Sequence, residues 1–186
     1  MIGGFRIEGY VIASADGMIA DAAGVMPRSL HHDADKRYFE AGLDHVEAVV
    51  HGRHSQEFQP KTLRRRRLIL TRSVGALAPH PNNAHALLWN PAGASFEKAC
   101  AALGVDSGTI AVIGGPMVYT LFLKMGYDVF HLCRAEGVLL PGGLPVFVRD
   151  LLGGEPDACL AAAGLRAGQT HWLGDEVTLT DWTRAS

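Results

Sequence analysis

The segment from Ile110 to Tyr119 constrains the fold of this 186-residue chain more than any other. An apolar, β-branched run leads directly into Gly114-Gly115, and Pro116 then opens an apolar stretch with helical spacing. This order predicts a buried strand, a tight turn and a helix whose first N–H groups have no partner within the helix. Such groups favour a phosphate, and glycine lets a ligand approach the backbone closely. A tight connection that binds nothing has the same sequence, so the segment predicts the unit and leaves the ligand open.

The rest of the chain alternates between predicted strands and predicted helices. Apolar runs bounded by Gly, Pro or charge predict strands at Phe5–Ala13, Ala48–His51, Arg67–Leu70, Ala86–Trp89, Thr109–Ile113, Asp128–Arg134 and Glu176–Trp182. Helical spacing and capping residues predict helices at Asp33–Leu43, Ser95–Leu103 and Pro116–Lys124. We therefore predict an α/β fold, a three-layer α/β/α sandwich whose central sheet is mostly parallel with an antiparallel C-terminal edge. The length fits one domain spanning residues 1–186.

Composition narrows the classes of partner. The 17 Lys and Arg residues nearly balance the 19 Asp and Glu residues, so no overall field attracts nucleic acid or an anionic membrane. No apolar run approaches the roughly 18 residues of a membrane span. The 3 cysteines stand far apart without metal-ligand spacing, which is typical of buried thiols in a reducing compartment. We expect a cytoplasmic protein without a metal, a membrane or a nucleic acid as partner.

Two further strands end in residues that suit an anion. Gly52-Arg53-His54-Ser55 follows the strand at Ala48–His51, and Thr71-Arg72-Ser73 follows the strand at Arg67–Leu70. Each offers a guanidinium and hydroxyl groups, although a helix cap with a surface arginine, or a polar strand end, has the same sequence. Ligands of open α/β sheets gather at the carboxyl ends of the strands. The two segments together with Gly114-Gly115 therefore predict a dinucleotide site.

Several of these segments resemble the dihydrofolate reductase-like superfamily, which includes dihydrofolate reductases, dihydromethanopterin reductase and the reductase domain of riboflavin biosynthesis. The stretch from Val112 to Leu123 is similar to the glycine-pair motif of that family, and Gly52–Ser55 is similar to its Gly-Arg-x-Thr phosphate turn, with Ser in place of Thr. The stretch Ile12–Ala20 resembles the Ser-Leu-Asp-Gly-x-Ile-Ala signature common in the riboflavin branch. The resemblance extends over most of the chain.

This resemblance implies a cofactor and a set of residues that contact it. In the family the two turns bind the pyrophosphate and adenosine phosphates of NADPH, and the strand end matched by Thr71–Ser73 holds the 2′-phosphate, which implies NADPH over NADH. The N-terminal strand and its loop lie beside the nicotinamide. The expected cofactor-binding residues are Ile19, Arg53, Ser55, Thr71, Arg72, Ser73, Gly114, Gly115, Pro116, Met117, Val118 and Tyr119.

The same resemblance nominates an active-site acid. Met26–Asp33 matches the pattern Met-Pro-Trp-x-Leu-Pro-x-Asp of dihydrofolate reductases in register, except at Arg28 and His31, and this register makes Asp33 the catalytic carboxylate. Alignment on Phe39 nominates Asp35 instead. A carboxylate beside a pterin ring raises the proton affinity of the imine that receives hydride. Riboflavin-type reductases generally lack this acid, so Asp33 is alternatively a first-turn residue favoured by the helix dipole.

The substrate is a dihydropterin in the reading favoured by Asp33, of the dihydrofolate or dihydromethanopterin class. By ungapped count Arg65 lies near the position that holds the glutamate carboxylate in dihydrofolate reductases, whereas Leu140–Phe147 resembles a glycine-rich loop of the riboflavin branch. The alternatives are therefore a ribosylaminopyrimidine reductase and a catalytically silent protein that binds NADPH. A homodimer is an expectation that the sequence leaves open, because the two branches differ in oligomeric state.

Overall fold

The computed structural model describes residues 2–55 and 64–184. The strands are β1 (Phe5–Ser14), β2 (Met18–Ala20), β3 (Ala48–Gly52), β4 (Arg67–Leu70), β5 (Leu77–His80), β6 (Asn83–Trp89), β7 (Gly108–Val112), β8 (Val129–Ala135), β9 (Leu144–Pro145), β10 (Leu165–Gly174) and β11 (Val177–Arg184). The helices are α1 (Asp33–Leu43), α2 (Phe96–Ala102), α3 (Pro116–Met125) and α4 (Pro156–Ala162), with short 3-10 turns at Arg28–Leu30 and Leu152–Gly154.

The central sheet has 9 strands in the order β10-β11-β8-β1-β7-β3-β4-β6-β5. Neighbouring strands from β8 to β6 are parallel, whereas β11 runs antiparallel to β8 and β10 antiparallel to β11. This arrangement confirms the predicted α/β fold with a mostly parallel sheet and an antiparallel C-terminal edge. A second antiparallel edge, formed by β5 and β6, was not expected.

Helices cover both faces of the sheet because β1 alternates its buried side chains. Ile7 and Val11 pack into the larger core cluster with residues of α2, α3 and α4. Tyr10 and Ile12 face the opposite side, where Tyr10 packs in a cluster with Leu43 of α1. Two apolar faces on one strand require two covering layers, so the chain forms the predicted three-layer sandwich.

One glycine of β1 makes room for the aromatic core. A Cβ atom on Gly9 would lie within 2.6 Å of two ring carbons of Phe130 and 3.0 Å from Tyr127. The rings of Tyr127 and Phe130 meet edge to face with their centroids 4.9 Å apart. Because a packed interior does not absorb an added methyl group without displacement, this strand needs glycine at that position.

The elements missing from the sequence prediction carry little periodic signal. The short strand β5 contains Pro79, and α4 has only 7 residues. Strand β10 is exposed over Arg166–Trp172, so its side chains show no alternation between apolar and polar faces. Within residues 2–55 and 64–184, no helix has the length and apolar character needed to cross a membrane.

Candidate cofactor site and active site

The three anion-binding turns predicted from the sequence come together at one edge of the sheet. They follow β7, β3 and β4, which are adjacent parallel strands. The N–H group of Gly52 donates a hydrogen bond of 2.8 Å to the carbonyl oxygen of Gly114, which joins the first two turns. In the β3–β4 register Gly52 lies opposite Leu70, so Arg53 and Thr71 follow at neighbouring strand ends. The carboxyl ends of these strands therefore form one continuous polar edge.

The Gly114-Gly115 turn needs glycine for two reasons. Gly114 has a φ of +122°, a backbone conformation that side chains disfavour, and a Cβ atom there would lie 3.2 Å from the hydroxyl oxygen of Tyr119. A Cβ atom on Gly115 would lie 3.3 Å from the hydroxyl oxygen of Ser55. The peptide bond between the two glycines is cis, and Gly115 is the N-cap of α3, with Pro116 in its first turn. The turn thus keeps backbone, rather than side chains, at its surface.

Two of the expected cofactor-binding residues support this turn from behind. The side chains of Val118 and Tyr119 are buried, and their N–H groups donate to the carbonyl oxygen of Gly115 at 2.9 and 3.0 Å. The Tyr119 hydroxyl donates a 2.6 Å hydrogen bond to the carbonyl oxygen of Tyr10. The inward face of α3 places both side chains in the core, and the cofactor contact expected for these two residues stays a prediction. Met117, by contrast, is 70% exposed.

The turn after β4 is organised by hydroxyl groups. Thr71 is buried, and its hydroxyl oxygen lies 2.9 Å from the hydroxyl oxygen of Ser73. The Ser73 N–H group donates to the Thr71 hydroxyl oxygen at 3.1 Å. Arg72 lies between them with an exposed side chain, and Arg53 at the end of β3 is also exposed. Two hydroxyl groups beside a guanidinium suit a phosphate monoester.

The structure separates the two candidate acids. Both lie in the first turn of α1, but positions two residues apart are about 200° apart around a helix. Asp33 is exposed, whereas Asp35 is half-buried, and its carboxylate interacts with the thiol of Cys133. Burial raises the pKa of Asp35, and the Cys133 thiol and His32 oppose that rise. The inward carboxylate is therefore Asp35, the alternative obtained by alignment on Phe39, and not Asp33.

Cys133 is a site residue that the sequence did not single out. It lies on β8, only 2% exposed, opposite Ile12 of β1. Burial, together with Asp35, raises the pKa of the thiol far above its usual range, so the sulfur keeps its proton and can donate to the carboxylate. In the sequence, Cys133 is recognisable only as a cysteine in an apolar strand. This position predicts a buried thiol but does not reveal that Asp35 lies beside it.

The loop after β1 is held by the Ser-x-Asp-Gly segment. The fully buried Ser14 hydroxyl donates to Asp16 at 2.5 Å and accepts from the Met18 N–H group at 2.9 Å. Asp16 also accepts from the Leu140 N–H group at 3.0 Å. Ile19 follows on β2, half-buried and packed against the main core. Asp16 therefore ties the loop beside the turns to the glycine-rich segment that begins at Leu140.

The arginine run lies at the opposite edge of the sheet. Arg65 precedes β4 and forms a 2.7 Å ion pair with Asp44, which precedes β3. Arg67 is only 3% exposed, and its guanidinium lies 3.2 Å from the His51 ring. Because β3 and β4 are parallel, their amino ends lie away from the three turns. A cavity of about 440 Å³ at this end is lined by Leu43, Asp44, Val46, Glu47, Ala48, Val49, Arg64, Arg65, Arg66 and His85.

Comparison with known proteins supports this architecture through structure alone. No protein-family model and no curated protein sequence matches the chain. Among solved structures, a protein from Shewanella sp. PV-4 assigned to riboflavin biosynthesis aligns with a TM-score of 0.67 at 20% identity, over 97% of this chain and 99% of that one. Dihydrofolate reductase from Enterococcus faecalis, complexed with NADP(H) and RAB-propyl, aligns with a TM-score of 0.62 at 14% identity, over 100% and 99% of the chains.

A third solved structure is longer than this chain. The diaminohydroxyphosphoribosylaminopyrimidine deaminase/5-amino-6-(5-phosphoribosylamino)uracil reductase of Thermotoga maritima aligns with a TM-score of 0.65 at 18% identity, over 97% of this chain and 56% of that protein. At these identities the likeness shows the fold. The chain has the dihydrofolate reductase-like fold, as the sequence motifs predicted.

Proposed function

We propose that the chain is a single-domain reductase that uses NADPH to reduce a C=N bond of a dihydropterin of the dihydrofolate or dihydromethanopterin class. The observation that carries this proposal is the half-buried carboxylate of Asp35, which interacts with the buried thiol of Cys133 on β8. Strand β8 is separated only by β1 from β7, whose carboxyl end bears the Gly114-Gly115 turn. An acid beside β8 and a dinucleotide-binding edge two strands away suit hydride transfer coupled to protonation.

The described residues fit a dinucleotide phosphate. The backbone at Gly115 and Met117 opens α3 and offers N–H groups to a pyrophosphate, and Arg53 and Ser55 add charge and a hydroxyl group. The paired hydroxyls of Thr71 and Ser73 with Arg72 suit a 2′-phosphate. We assign to cofactor binding Ile19, Arg53, Ser55, Thr71, Arg72, Ser73, Gly114, Gly115, Pro116 and Met117.

In this mechanism, Asp35 binds and polarises the substrate ring. When NADPH is bound, it supplies a hydride to the ring carbon of the C=N bond, and the ring nitrogen must gain a proton. The ionised carboxylate of Asp35 accepts hydrogen bonds from amidine-like N–H groups of the ring and stabilises the protonated imine. The Cys133 thiol holds the carboxylate in place. Burial keeps water from competing for these hydrogen bonds.

A second candidate substrate is supported by the loop after β1. The hydrogen bonds from Ser14 and Leu140 to Asp16 order the segment that resembles the riboflavin branch. Two of the structural neighbours carry names from riboflavin biosynthesis. This favours a reductase that opens the sugar of a ribosylaminopyrimidine phosphate, in which Asp35 would have no ring amidine to bind.

A substrate panel tests these alternatives. The purified protein is mixed with NADPH and with dihydrofolate, dihydromethanopterin or the ribosylaminopyrimidine phosphate, and the decrease in NADPH absorbance is followed. We expect turnover with one of the two dihydropterins. Turnover with the pyrimidine alone would assign the protein to riboflavin-type chemistry, and NADPH binding without turnover of any of the three would indicate a silent binding protein.

The cofactor assignment makes a separate prediction at Arg72. Arg72→Ala should weaken NADPH binding about tenfold or more and leave NADH binding nearly unchanged, because only NADPH carries the phosphate that the guanidinium would bind. Dissociation constants from fluorescence titration measure both. Arg166→Ala, which removes an exposed arginine on β10, is the matched control. Equal losses for the two cofactors would contradict the 2′-phosphate assignment.

A further inference from the structure

The turn between β10 and β11 has two successive non-glycine residues with positive φ. Asp175 and Glu176 have φ values of 52° and 60°, in the left-handed region that most residues other than glycine avoid. Residues persist there when their surroundings fix them, and such positions often serve a function. The neighbours of Asp175 and Glu176 therefore help to fix this conformation.

The surroundings of this turn fix it to the end of β8. The Glu136 N–H group, directly after β8, donates a 2.9 Å hydrogen bond to the carbonyl oxygen of Glu176. The hydroxyl of Thr178 donates to the Glu136 carboxylate at 2.6 Å. Val177, the first residue of β11, pairs with Ala135. The turn and the carboxyl end of β8 thus form one unit.

The side chain of Asp175 reaches the start of α1, more than a hundred residues away in sequence. Its carboxylate accepts a 2.9 Å hydrogen bond from the Ala34 N–H group, in the first turn of that helix. The local N-cap, His32, makes no side-chain hydrogen bond to the helix. The first N–H groups of a helix need acceptors from outside it, and an aspartate carboxylate is among the preferred ones. A residue of the C-terminal hairpin therefore caps α1.

The capped residue is the immediate neighbour of the proposed acid. The Ala34 N–H group donates to Asp175 of the hairpin, and the Asp35 carboxylate interacts with the thiol of Cys133 on β8. Both partners belong to the unit formed by β8 and the β10–β11 turn. Two successive residues of α1 are thereby fixed to one frame, which defines the position of the Asp35 carboxylate at the sheet edge.

We propose that Asp175 is a positioning residue of the active site, which sets the orientation of Asp35 by capping α1 at Ala34. This inference rests on the proposed function, in which Asp35 binds the substrate ring. The two-residue hairpin loop, whose geometry requires positive φ at Asp175 and Glu176, carries the Asp175 carboxylate to the helix. Misplacement of a catalytic group by about 1 Å can cost about 100-fold in rate, so a cap far from the chemistry can matter for turnover.

Three variants separate the cap from the backbone strain. Asp175→Gly removes the acceptor but tolerates the left-handed backbone, Asp175→Asn keeps a carbonyl acceptor and tolerates it as well, and Glu176→Gly relaxes the same turn without touching the cap. We expect Asp175→Gly to lower kcat about tenfold with NADPH affinity unchanged. Asp175→Asn should recover most of this loss, and Glu176→Gly should match the wild type.

A substrate-free measurement keeps this test independent of the proposed function. The carboxyl carbon of Asp35 is titrated by NMR in the wild type, Asp175→Gly and Glu176→Gly, and the Ala34 amide proton is followed in the same spectra. The charged or titratable neighbours to account for are Asp33 and His32 on the same segment, Cys133 on β8 and Tyr119 on α3. We expect the Asp35 titration midpoint to move in Asp175→Gly alone, and the Ala34 amide to lose its hydrogen-bonded shift there.

The outcomes distinguish the two proposals. An Asp35 titration that is identical in all three proteins would overturn the positioning role, as would equal loss of kcat in Asp175→Gly and Asp175→Asn. If the wild type reduces none of the panel substrates while the Asp35 midpoint still moves in Asp175→Gly alone, the positioning role stands and the proposed reaction fails.

Discussion

Replacement of Asp35 by asparagine is expected to lower kcat/KM for the dihydropterin about 100-fold or more at neutral pH, within the range that one acid–base group contributes to catalysis. The amide has nearly the same shape but carries no charge to stabilise a protonated imine. NADPH affinity should stay nearly unchanged, because Asp35 lies on α1 and contacts β8 rather than the three turns. Steady-state rates with a fluorescence titration of NADPH measure both quantities.

The matched control for this variant is two residues away. Asp33→Asn removes the same charge from the same helical turn, but Asp33 is exposed. Its effect on kcat/KM should be small, less than about threefold, as expected for a surface residue near a helix N-terminus. A large loss in Asp33→Asn with little change in Asp35→Asn would restore the assignment made from the sequence register and remove Asp35 from the mechanism.

Stability provides an independent check on the Asp35 variant. Burial raises the pKa of Asp35 in the folded protein, so the folded state holds this proton more tightly than the unfolded chain does. Its contribution to stability therefore falls as pH rises from the unfolded pKa through the higher folded pKa. At neutral pH the ionised carboxylate is a cost that asparagine does not carry. We expect Asp35→Asn to show this loss of rate and to be at least as stable as the wild type in urea unfolding, which would exclude unfolding as the cause of the lost rate.

The sequence predicts that the three turns meet at one edge of the sheet because that arrangement depends on local geometry. A strand that ends in Gly114-Gly115 and a second that ends at Gly52 need only be parallel neighbours for their turns to meet, and the 2.8 Å hydrogen bond between Gly52 and Gly114 follows from this adjacency. Periodicity predicts such strands, and the order of α/β units predicts that their carboxyl ends share an edge. The meeting of these turns was therefore predictable without coordinates.

The inward carboxylate was harder to predict because its identity depends on rotation about a helix. Motif register nominates Asp33, but only the packing of α1 decides which of Asp33 and Asp35 faces the sheet. The partners of α1 were harder still to predict. Cys133 and Asp175 follow Asp35 by about a hundred residues or more, and no motif links their strands to α1. Contacts of this kind follow from tertiary packing, which neither periodicity nor spacing encodes.

A polar network between the sheet and α1 is the second feature that no motif indicated. His131 of β8 lies between two carboxylates, with its Nδ1 atom 2.7 Å from Asp181 of β11 and its Nε2 atom 3.6 Å from Glu8 of β1. The second distance is too long for a hydrogen bond, so that contact is an ion pair. The Tyr38 hydroxyl oxygen on α1 lies 2.8 Å from Nδ1, and the Tyr10 hydroxyl donates to Glu8 at 2.8 Å.

The pKa values of this network show that it stabilises the fold as charged groups. Interaction with His131 lowers the pKa of Glu8 to about 2, against the opposing effect of burial and with help from Arg6 and Tyr10. Burial lowers the pKa of His131, but the hydrogen bond with Asp181 and the attraction of the Asp181 and Glu8 carboxylates outweigh it, so the pKa is raised. The imidazolium is therefore the favoured form between the two carboxylates.

Glu8→Gln should lower the free energy of unfolding by about 2–3 kcal/mol near pH 6, because it leaves the buried imidazolium with one anionic partner fewer. The stabilisation from Glu8 is present above its unfolded pKa and is lost as pH falls toward about 2, where the carboxylate takes up a proton in the folded state. The contribution of His131 is fully present below its unfolded pKa and is lost as pH rises through the raised folded pKa. The stability difference between wild type and variant should therefore be largest between these limits.

Urea unfolding across this pH range measures the effect, and Asp106→Asn, an exposed loop carboxylate, is the control for a general change in net charge. The double variant Glu8→Gln/His131→Gln isolates the pair, since its loss of stability should be smaller than the sum of the two single losses if the charges interact. Additive losses, or a Glu8→Gln effect that does not change with pH, would mean that Glu8 and His131 stabilise the protein through packing alone. Because Tyr38 links this network to α1 one turn after Asp35, weakening it should also lower the cooperativity with which α1 unfolds from the sheet.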